Sequence, residues 1–493
     1  MRKAIALFSL AAFSALMLGA CGGNSIMSQN PPGGPAMAPA SLTIHDNPPA
    51  GVIVLSFEIT VTGASLQPSD TSKPAVAMVR EPEEIELEHL QAESALLANL
   101  SVPAGTYNSL SVSFANPHMT ILNQSGAPLS LPNGQSCGIG QACEFAPKLN
   151  QSMVTVQAPM APFPITLSAN SPLALDLDFN VNTSIQAGDL SITPAVTVKQ
   201  LATPPGDEME GMHFVGRISA IDATNKTFTL QLGFTGTSMT IATDTNTAFN
   251  FDGVCAANNF SCLMMGEVVS VLAQLTAPGT TPLAKEVELF APENELALIG
   301  LVSKVDVAQN QFQIVIRDLF DENNQMSSIP MGLVITVQIL PEANPLATFS
   351  IDSDGMTLPA GLNFASLSDM VIGQAVQIHP IVPITITGAP PNVSITVGTD
   401  KVRLEPSPVT ATITAINASA NPPNFTLGSL PMFFTANGIT AIQVDVLTTT
   451  QFFNDATGLA GLSTGNTVSV GGLLFNTTGT PTLVAEKVLL RTP

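Results

Sequence analysis

The sequence predicts an all-β protein: an N-terminal antiparallel β-sandwich over 41–202, then three small β-barrel-like repeats over 214–291, 296–406 and 408–491. Three observations carry this reading. Apolar and polar residues alternate with a period of two in segments of strand length. Clusters of Pro, Gly and Asn separate those segments. The second half of the chain repeats itself three times.

The chain opens with a positive pair, Arg2 and Lys3, and an apolar run from Ala4 to Leu18 that is short for a permanent span of a bilayer about 30 Å thick. Leu18-Gly19-Ala20-Cys21 resembles the lipobox of bacterial lipoproteins. The resemblance implies that 1–20 is a signal peptide and that Cys21 is acylated and becomes the mature N-terminus. With Gly22 and not Asp after the cysteine, it further implies delivery to the outer membrane, on its periplasmic or surface face. Two or more acyl chains would make the membrane a stable partner. Residues 21–40, rich in Pro, Gly, Ser and Met, read as a flexible tether.

Strand patterning follows. Ile53, Leu55, Phe57, Ile59 and Val61 alternate with Val54, Ser56, Glu58, Thr60 and Thr62, and Leu173, Leu175, Leu177 and Phe179 repeat the pattern. Ser41-Leu42-Thr43-Ile44-His45-Asp46-Asn47-Pro48, Phe57-Glu58-Ile59-Thr60-Val61-Thr62-Gly63-Ala64, Val102-Pro103-Ala104-Gly105-Thr106-Tyr107 and Leu175-Asp176-Leu177-Asp178-Phe179 resemble the landmarks of a bacterial lipoprotein domain, domain of unknown function 4382. The resemblance covers about Ser41 to Leu201 and implies a fold, not an activity. At its start, His45-Asp46-Asn47-Pro48 stands where the family usually has Thr-Asp-Ala-Pro.

Pro204-Pro205-Gly206 and the acids after it mark a linker over 203–213. Beyond it, Val215-Gly216-Arg217-Ile218-Ser219-Ala220-Ile221-Asp222 is echoed by Ile299-Gly300-Leu301-Val302-Ser303-Lys304-Val305-Asp306 and by Ala411-Thr412-Ile413-Thr414-Ala415-Ile416-Asn417. The unit ends repeat as well: Gly266-Glu267-Val268-Val269-Ser270-Val271 matches Gly373-Gln374-Ala375-Val376-Gln377-Ile378 and Gly465-Asn466-Thr467-Val468-Ser469-Val470, and Ala284-Lys285-Glu286-Val287-Glu288-Leu289 matches Asp400-Lys401-Val402-Arg403-Leu404 and Ala485-Glu486-Lys487-Val488-Leu489-Leu490. These units resemble domain of unknown function 5666, which implies small β-barrels. Ile218 and Ile221, Val302 and Val305, and Ile413 and Ile416 are spaced by three, which a strict strand sends to opposite faces. A β-bulge in each first strand would return both to the core and bend the strand for closure.

Composition narrows the function. Lys and Arg number 15 against 37 Asp and Glu, so the chain has no basic stripe with which to bind nucleic acid. It has no Trp and one Tyr, so the stacking platforms expected of many sugar or single-strand binders are scarce. Besides Cys21, the cysteines fall into two close pairs, Cys137 with Cys143 and Cys255 with Cys262. In an exported chain this favours two local disulfides over zinc, whose sites usually show Cys-x-x-Cys spacing and nearby His.

Candidate chemistry is sparse. His45, His89, His118, His213 and His379 are scattered, and the run Glu81, Glu83, Glu84, Glu86 and Glu88 reads as a solvated face or strand edge. Asp318 and Asp321 in one oxygen-rich loop, and Asp352 and Asp354 in another, are weak calcium candidates that complete no EF-hand loop. No catalytic residue and no cofactor is assigned. The expected function is a lipid-anchored, non-enzymatic envelope protein for binding, adhesion or display, with an envelope or surface protein or a glycan as partner. The alternatives are an envelope hydrolase with dispersed carboxylates and a calcium-stiffened stalk.

Overall fold

The alternating N-terminal segment folds as β1 (Met37–Asn47), β2 (Val54–Pro68), β3 (Val76–Val79), β4 (Glu83–Glu86), β5 (Ala95–Pro103), β6 (Gly105–Leu122), β7 (Leu129–Ser130), β8 (Ser136–Cys137), β9 (Ala142–Phe145), β10 (Met153–Gln157), β11 (Ile165–Leu167), β12 (Leu173–Asn180), the one-turn helix α1 (Val181–Ser184) and β13 (Val196–Leu201). The computed structural model describes residues 36–47, 54–91, 94–132, 134–186, 188–201, 212–232, 237–251, 254–291, 296–321, 331–340, 348–353, 356–387, 394–453 and 457–491. Cys21 and Asp354 lie outside the described residues, as do the side chains of Asp321 and His89.

Two sheets face each other. One has the order β13-β12-β1-β5; the other has β10-β6-β2-β3, with β9 and β11 also on β6 and β4 also on β2. Phe57 and Phe114 of the second sheet meet Phe179 of the first edge to face, at 5.9 and 5.4 Å, in the middle of the core. The strand pairs are antiparallel except β1 with β12, which run parallel with Leu42 opposite Leu175. The lone Tyr107 closes the β5–β6 corner by donating its hydroxyl proton to the Pro103 carbonyl at 2.6 Å.

Two expected boundaries move. Met37 to Ala40 pair within β1 instead of belonging to the tether, because Ala38 and Ala40 are fully buried. Met212 and His213, expected in the linker, already belong to a strand.

The rest of the chain forms β14 (Met212–Asp222), β15 (Thr227–Leu232), β16 (Thr237–Ala242), β17 (Ala248–Asn250), β18 (Val268–Gln274) and β19 (Leu283–Ala291); β20 (Leu296–Asp306), β21 (Gln311–Asp321), β22 (Val334–Ile339), β23 (Thr348–Ile351), β24 (Ala375–Thr387) and β25 (Ser394–Glu405); and β26 (Ser407–Asn417), β27 (Asn424–Gly428), helix α2 (Met432–Thr435), β28 (Ile442–Phe453), β29 (Thr467–Phe475) and β30 (Thr482–Arg491). Units 1, 2 and 3 share one strand order: β16-β15-β14-β18-β19, β22-β21-β20-β24-β25 and β28-β27-β26-β29-β30. In each, a parallel pairing of the third and last strands joins the two ends of that order: β16 with β19, β22 with β25, and β28 with β30.

The expected bulges are present at the same place in all three units, where the register shifts between Ile218 and Ala220, Val302 and Lys304, and Ile413 and Ala415. Ile218, Val302 and Ile413 are buried, and Ile221, Val305 and Ile416 pack partly buried against the same cores. The repeated glycine explains itself too. Gly266, Gly373 and Gly465 have φ of 95°, 90° and 91°, a conformation that costs a side chain energy. Their N–H groups donate to the carbonyls of Ile218, Val302 and Ile413, tying the loop to the bulge. The next side chain, Glu267, Gln374 or Asn466, accepts a backbone N–H three residues upstream.

Backbone proximity also makes a prediction. A Cβ on Gly472 of β29 would lie 2.1 Å from the Val484 carbonyl oxygen, whereas one on Gly188 would meet nothing within 4 Å. Gly472→Ala is therefore expected to lower stability by about 2–3 kcal/mol through forced strand separation, while Gly188→Ala leaves the melting temperature nearly unchanged; paired thermal melts read the difference.

The units interlock. Leu473, Phe475 and Val484 of unit 3 belong to the core of unit 2, and Leu301 and Val315 of unit 2 belong to that of unit 3. Leu55 of the sandwich also enters the unit 3 core, which is why it departs from the inward row of Phe57, Ile59 and Val61. Unit 1 meets unit 2 through a much smaller apolar cluster, Val268, Phe290, Ala297 and Ile299 with Val215.

Candidate functional site

Ionisable side chains collect where the three units meet. Glu286 and Glu288 lie on β19, Asp352 follows β23, Arg403 and Glu405 lie on β25, and Glu486 and Lys487 lie on β30. Apart from Arg403, these groups line a cavity of about 70 Å³ together with His213 and Ser270, whose side chains are 2.6 Å apart. Arg403 is its organising cation. Its Nη2 donates to Glu288 at 2.5 Å and to Asp352, and its Nε is 3.4 Å from Glu405. Asn250 also donates to Glu288.

Three carboxyl groups around one guanidinium, all nearly out of water, cannot all ionise cheaply. Burial, reinforced by the hydrogen bond and charge of Asp352, pushes Glu288 up to about 10. Burial works to raise Asp352 as well, but the hydrogen bond from Glu288 and the Arg403 guanidinium outweigh it and hold Asp352 below the ordinary carboxylate range. Burial, with the charges of Asp352 and Glu486, lifts Glu286 to about 7.

A second acidic group lies on the outer face of the sandwich. Glu86, Glu58 and His118 form one row across β4, β2 and β6, and His118 Nε2 is 3.2 Å from Glu144 Oε1 on β9. Burial, then the charges of Glu86, Glu84 and Glu144, raise Glu58 to about 9; burial alone raises Glu144 to about 7 and lowers His118. The reading of the acidic run as a solvated face or strand edge holds for Glu81 and Glu84, which are exposed, and is corrected at Glu88. Glu88 is buried and Glu86 accepts the Phe57 N–H at 2.9 Å, because the sheet face is covered by unit 2, whose Arg317 donates to the Leu55 carbonyl at 3.1 Å.

A larger opening lies elsewhere: a groove of about 660 Å³ lined by the sandwich, unit 2 and unit 3. Ile139 and Gly140, within the Cys137–Cys143 loop, form one lip. Met432 and Ala436, on and just after α2, form the other, and Ser303 and Lys304 lie at the unit 2 bulge between them. Asn123, Gln124, Gln313, Thr435 and Asn437 add amides and a hydroxyl. Among the described lining residues there is one cation, Lys304, and no carboxylate. Ile139 and Met432, both lining this groove, remain 59% and 47% exposed, large values for apolar side chains.

The other predicted positions are accounted for individually. Cys137 with Cys143 and Cys255 with Cys262 form disulfides, with Cα separations of 5.9 and 5.8 Å. Asp352 is no open calcium ligand, since Arg403 takes the place beside it that a cation would occupy. Asp318 and Asp321, expected in a loop, belong to strand β21, where Asp318 pairs with Ile299 and accepts the N–H of its neighbour Leu319 at 2.8 Å. His45 bonds Asp176 at 2.9 Å and His379 bonds Asp400 at 3.1 Å, both cross-strand partners that sequence proximity does not show.

Residues 37–194 match the family model described as Domain of unknown function (DUF4382). Residues 215–288 match Domain of unknown function (DUF5666). The DUF4382 segment is the sandwich and the DUF5666 segment is unit 1 up to Glu288 itself, so the order expected from the sequence holds. Units 2 and 3 repeat the strand order of the DUF5666 segment. No curated protein matches the chain.

The groove residues carried no sequence motif. Glu288 and Arg403 did carry a signal, since they occupy the same position of the repeat with opposite charge, opposite Ser270 and Gln377 on the neighbouring strands.

Proposed function

We propose that the protein is a lipid-anchored, non-enzymatic component of a bacterial cell envelope that binds a glycan in the groove between the sandwich, unit 2 and unit 3. The groove lining carries the reading: amides, hydroxyls, one lysine and the exposed apolar Ile139 and Met432 suit a neutral or anionic polyhydroxylated ligand, and the absence of carboxylates among the described lining residues contrasts with an otherwise strongly acidic chain. The hydrolase alternative is less favoured, because Arg403 bridges the Glu288 and Asp352 carboxyls and the cavity beside them has room for water, not for a sugar ring.

Two measurements test this. The full lipidated chain in nanodiscs is expected to bind glycans prepared from the cell envelope saturably, and Lys304→Ala with Met432→Ala to weaken that binding by about tenfold or more. Glycan binding untouched by these changes would move the site; retention of an envelope protein instead would replace the ligand class. Separately, Cys21→Ala is expected to leave the protein in the soluble fraction after cell lysis, and membrane retention equal to that of the native chain would refute the anchor.

A further inference from the structure

The junction of units 1 and 2 has a feature that binding does not require. Glu288 comes from unit 1 and Asp352 from unit 2, yet both approach the same Nη2 of Arg403 and hydrogen-bond to each other. Glu405 flanks the guanidinium, Glu286 and Glu486 line the cavity, and Lys487 and His213 are the cationic or titratable groups facing it from β30 and β14. A carboxyl pair can share a hydrogen bond only while one member holds a proton. We propose that this shared proton is a lock between units 1 and 2, and that its loss drives unit 1 away from unit 2.

The weakness of the surrounding contact distinguishes this device from an ordinary buried pair. Units 2 and 3 share continuous apolar cores, which no single ionisation would part. Apart from the Arg403–Glu288 pair, the described residues of unit 1 meet unit 2 through a small apolar cluster and a bond from Gln377 Nε2 to the Phe290 carbonyl at 2.8 Å. Once Glu288 ionises, it faces Asp352 and Glu405 across that thin contact with Arg403 as the shared countercharge. Glu286, which titrates earlier, adds charge beside them. Unit 1 keeps its sandwich contacts, where Asn99 bonds the Gly279 N–H and the Thr280 carbonyl, both at 2.6 Å. The motion is therefore a hinge away from unit 2 that leaves the sandwich attached.

The test uses the full chain with dyes on cysteines placed at Thr224 of unit 1 and Val307 of unit 2, both exposed. Energy transfer is expected to drop by about half between about pH 7 and pH 10.5, before far-ultraviolet circular dichroism reports loss of strand. Glu288→Gln should hold the transfer at its neutral-pH value throughout, because the amide keeps a donor towards Asp352 and cannot ionise. A drop of equal size and midpoint in Glu288→Gln would overturn the lock. So would constant transfer in the native sequence across the range. The readout does not depend on the groove, so it stands apart from the outcome of the glycan experiments.

Discussion

Replacing Arg403 with methionine is expected to destabilise the folded chain by about 3–5 kcal/mol near neutral pH, because removing one partner of a buried ion group strands the charges left behind. Asp352 is almost fully buried and held ionised by the hydrogen bond from Glu288 and by that guanidinium, and Glu405 loses a cation 3.4 Å away. The loss should appear as a lower urea midpoint. Neutralising the stranded acids should return most of it: Arg403→Met with Asp352→Asn and Glu288→Gln is expected to recover at least about half. The single variant should also be milder near pH 5, where the carboxyls can take up protons. A change under about 1 kcal/mol at neutral pH would mean that the network is solvated and contributes little.

The second large effect is on stability against pH, and its sign is opposite to ordinary acid denaturation. Glu58, Glu88 and Glu288 are raised to about 9, 8 and 10, and Glu144 and Glu286 to about 7, in every case chiefly by burial. Between the ordinary carboxyl range and these values, the folded chain holds protons that the unfolded chain has released, so stability falls as pH rises. Their contribution is complete below the unfolded carboxyl values and is gone above the folded ones. His118 opposes the trend, since burial lowers it and favours the fold at higher pH, but it stands against these five and Glu83, which burial also raises to about 7. The melting temperature is expected to fall by roughly 10 °C or more from about pH 5 to pH 9. Glu58→Gln, which keeps a hydrogen-bonding side chain and removes one titration, should flatten the slope. A melting temperature that is level or rises over that interval would show that these carboxyls are hydrated in the folded chain.

The two cavities differ for a physical reason rooted in the repeats. Small β units that copy one pattern present similar surfaces to each other, and docking them side by side brings equivalent strand positions together. Glu288 and Arg403 turn one such position into an ion pair. In unit 3 the same position is Leu489, which is fully buried in an apolar contact instead. The groove forms where different elements meet: the Cys137–Cys143 loop, the unit 2 bulge and α2.

What the sequence determined alone was everything governed by local periodicity and by repetition. The period of two fixes which face of β2 and β12 turns inward, the spacing of three betrays each bulge, the recurring glycine marks each tight loop, and close cysteine pairs imply their own disulfides. These depend on neighbours a few residues away, so the pattern is written along the chain. What the tertiary structure decided was the environment of the polar groups. Glu58, Glu88, Glu288 and Asp352 look like surface acids in a string of letters, and only the docking of one unit on another removes their water and supplies Arg317 and Arg403 from far along the chain. Burial of charge depends on partners hundreds of residues apart, and so it becomes legible only when the chain is folded.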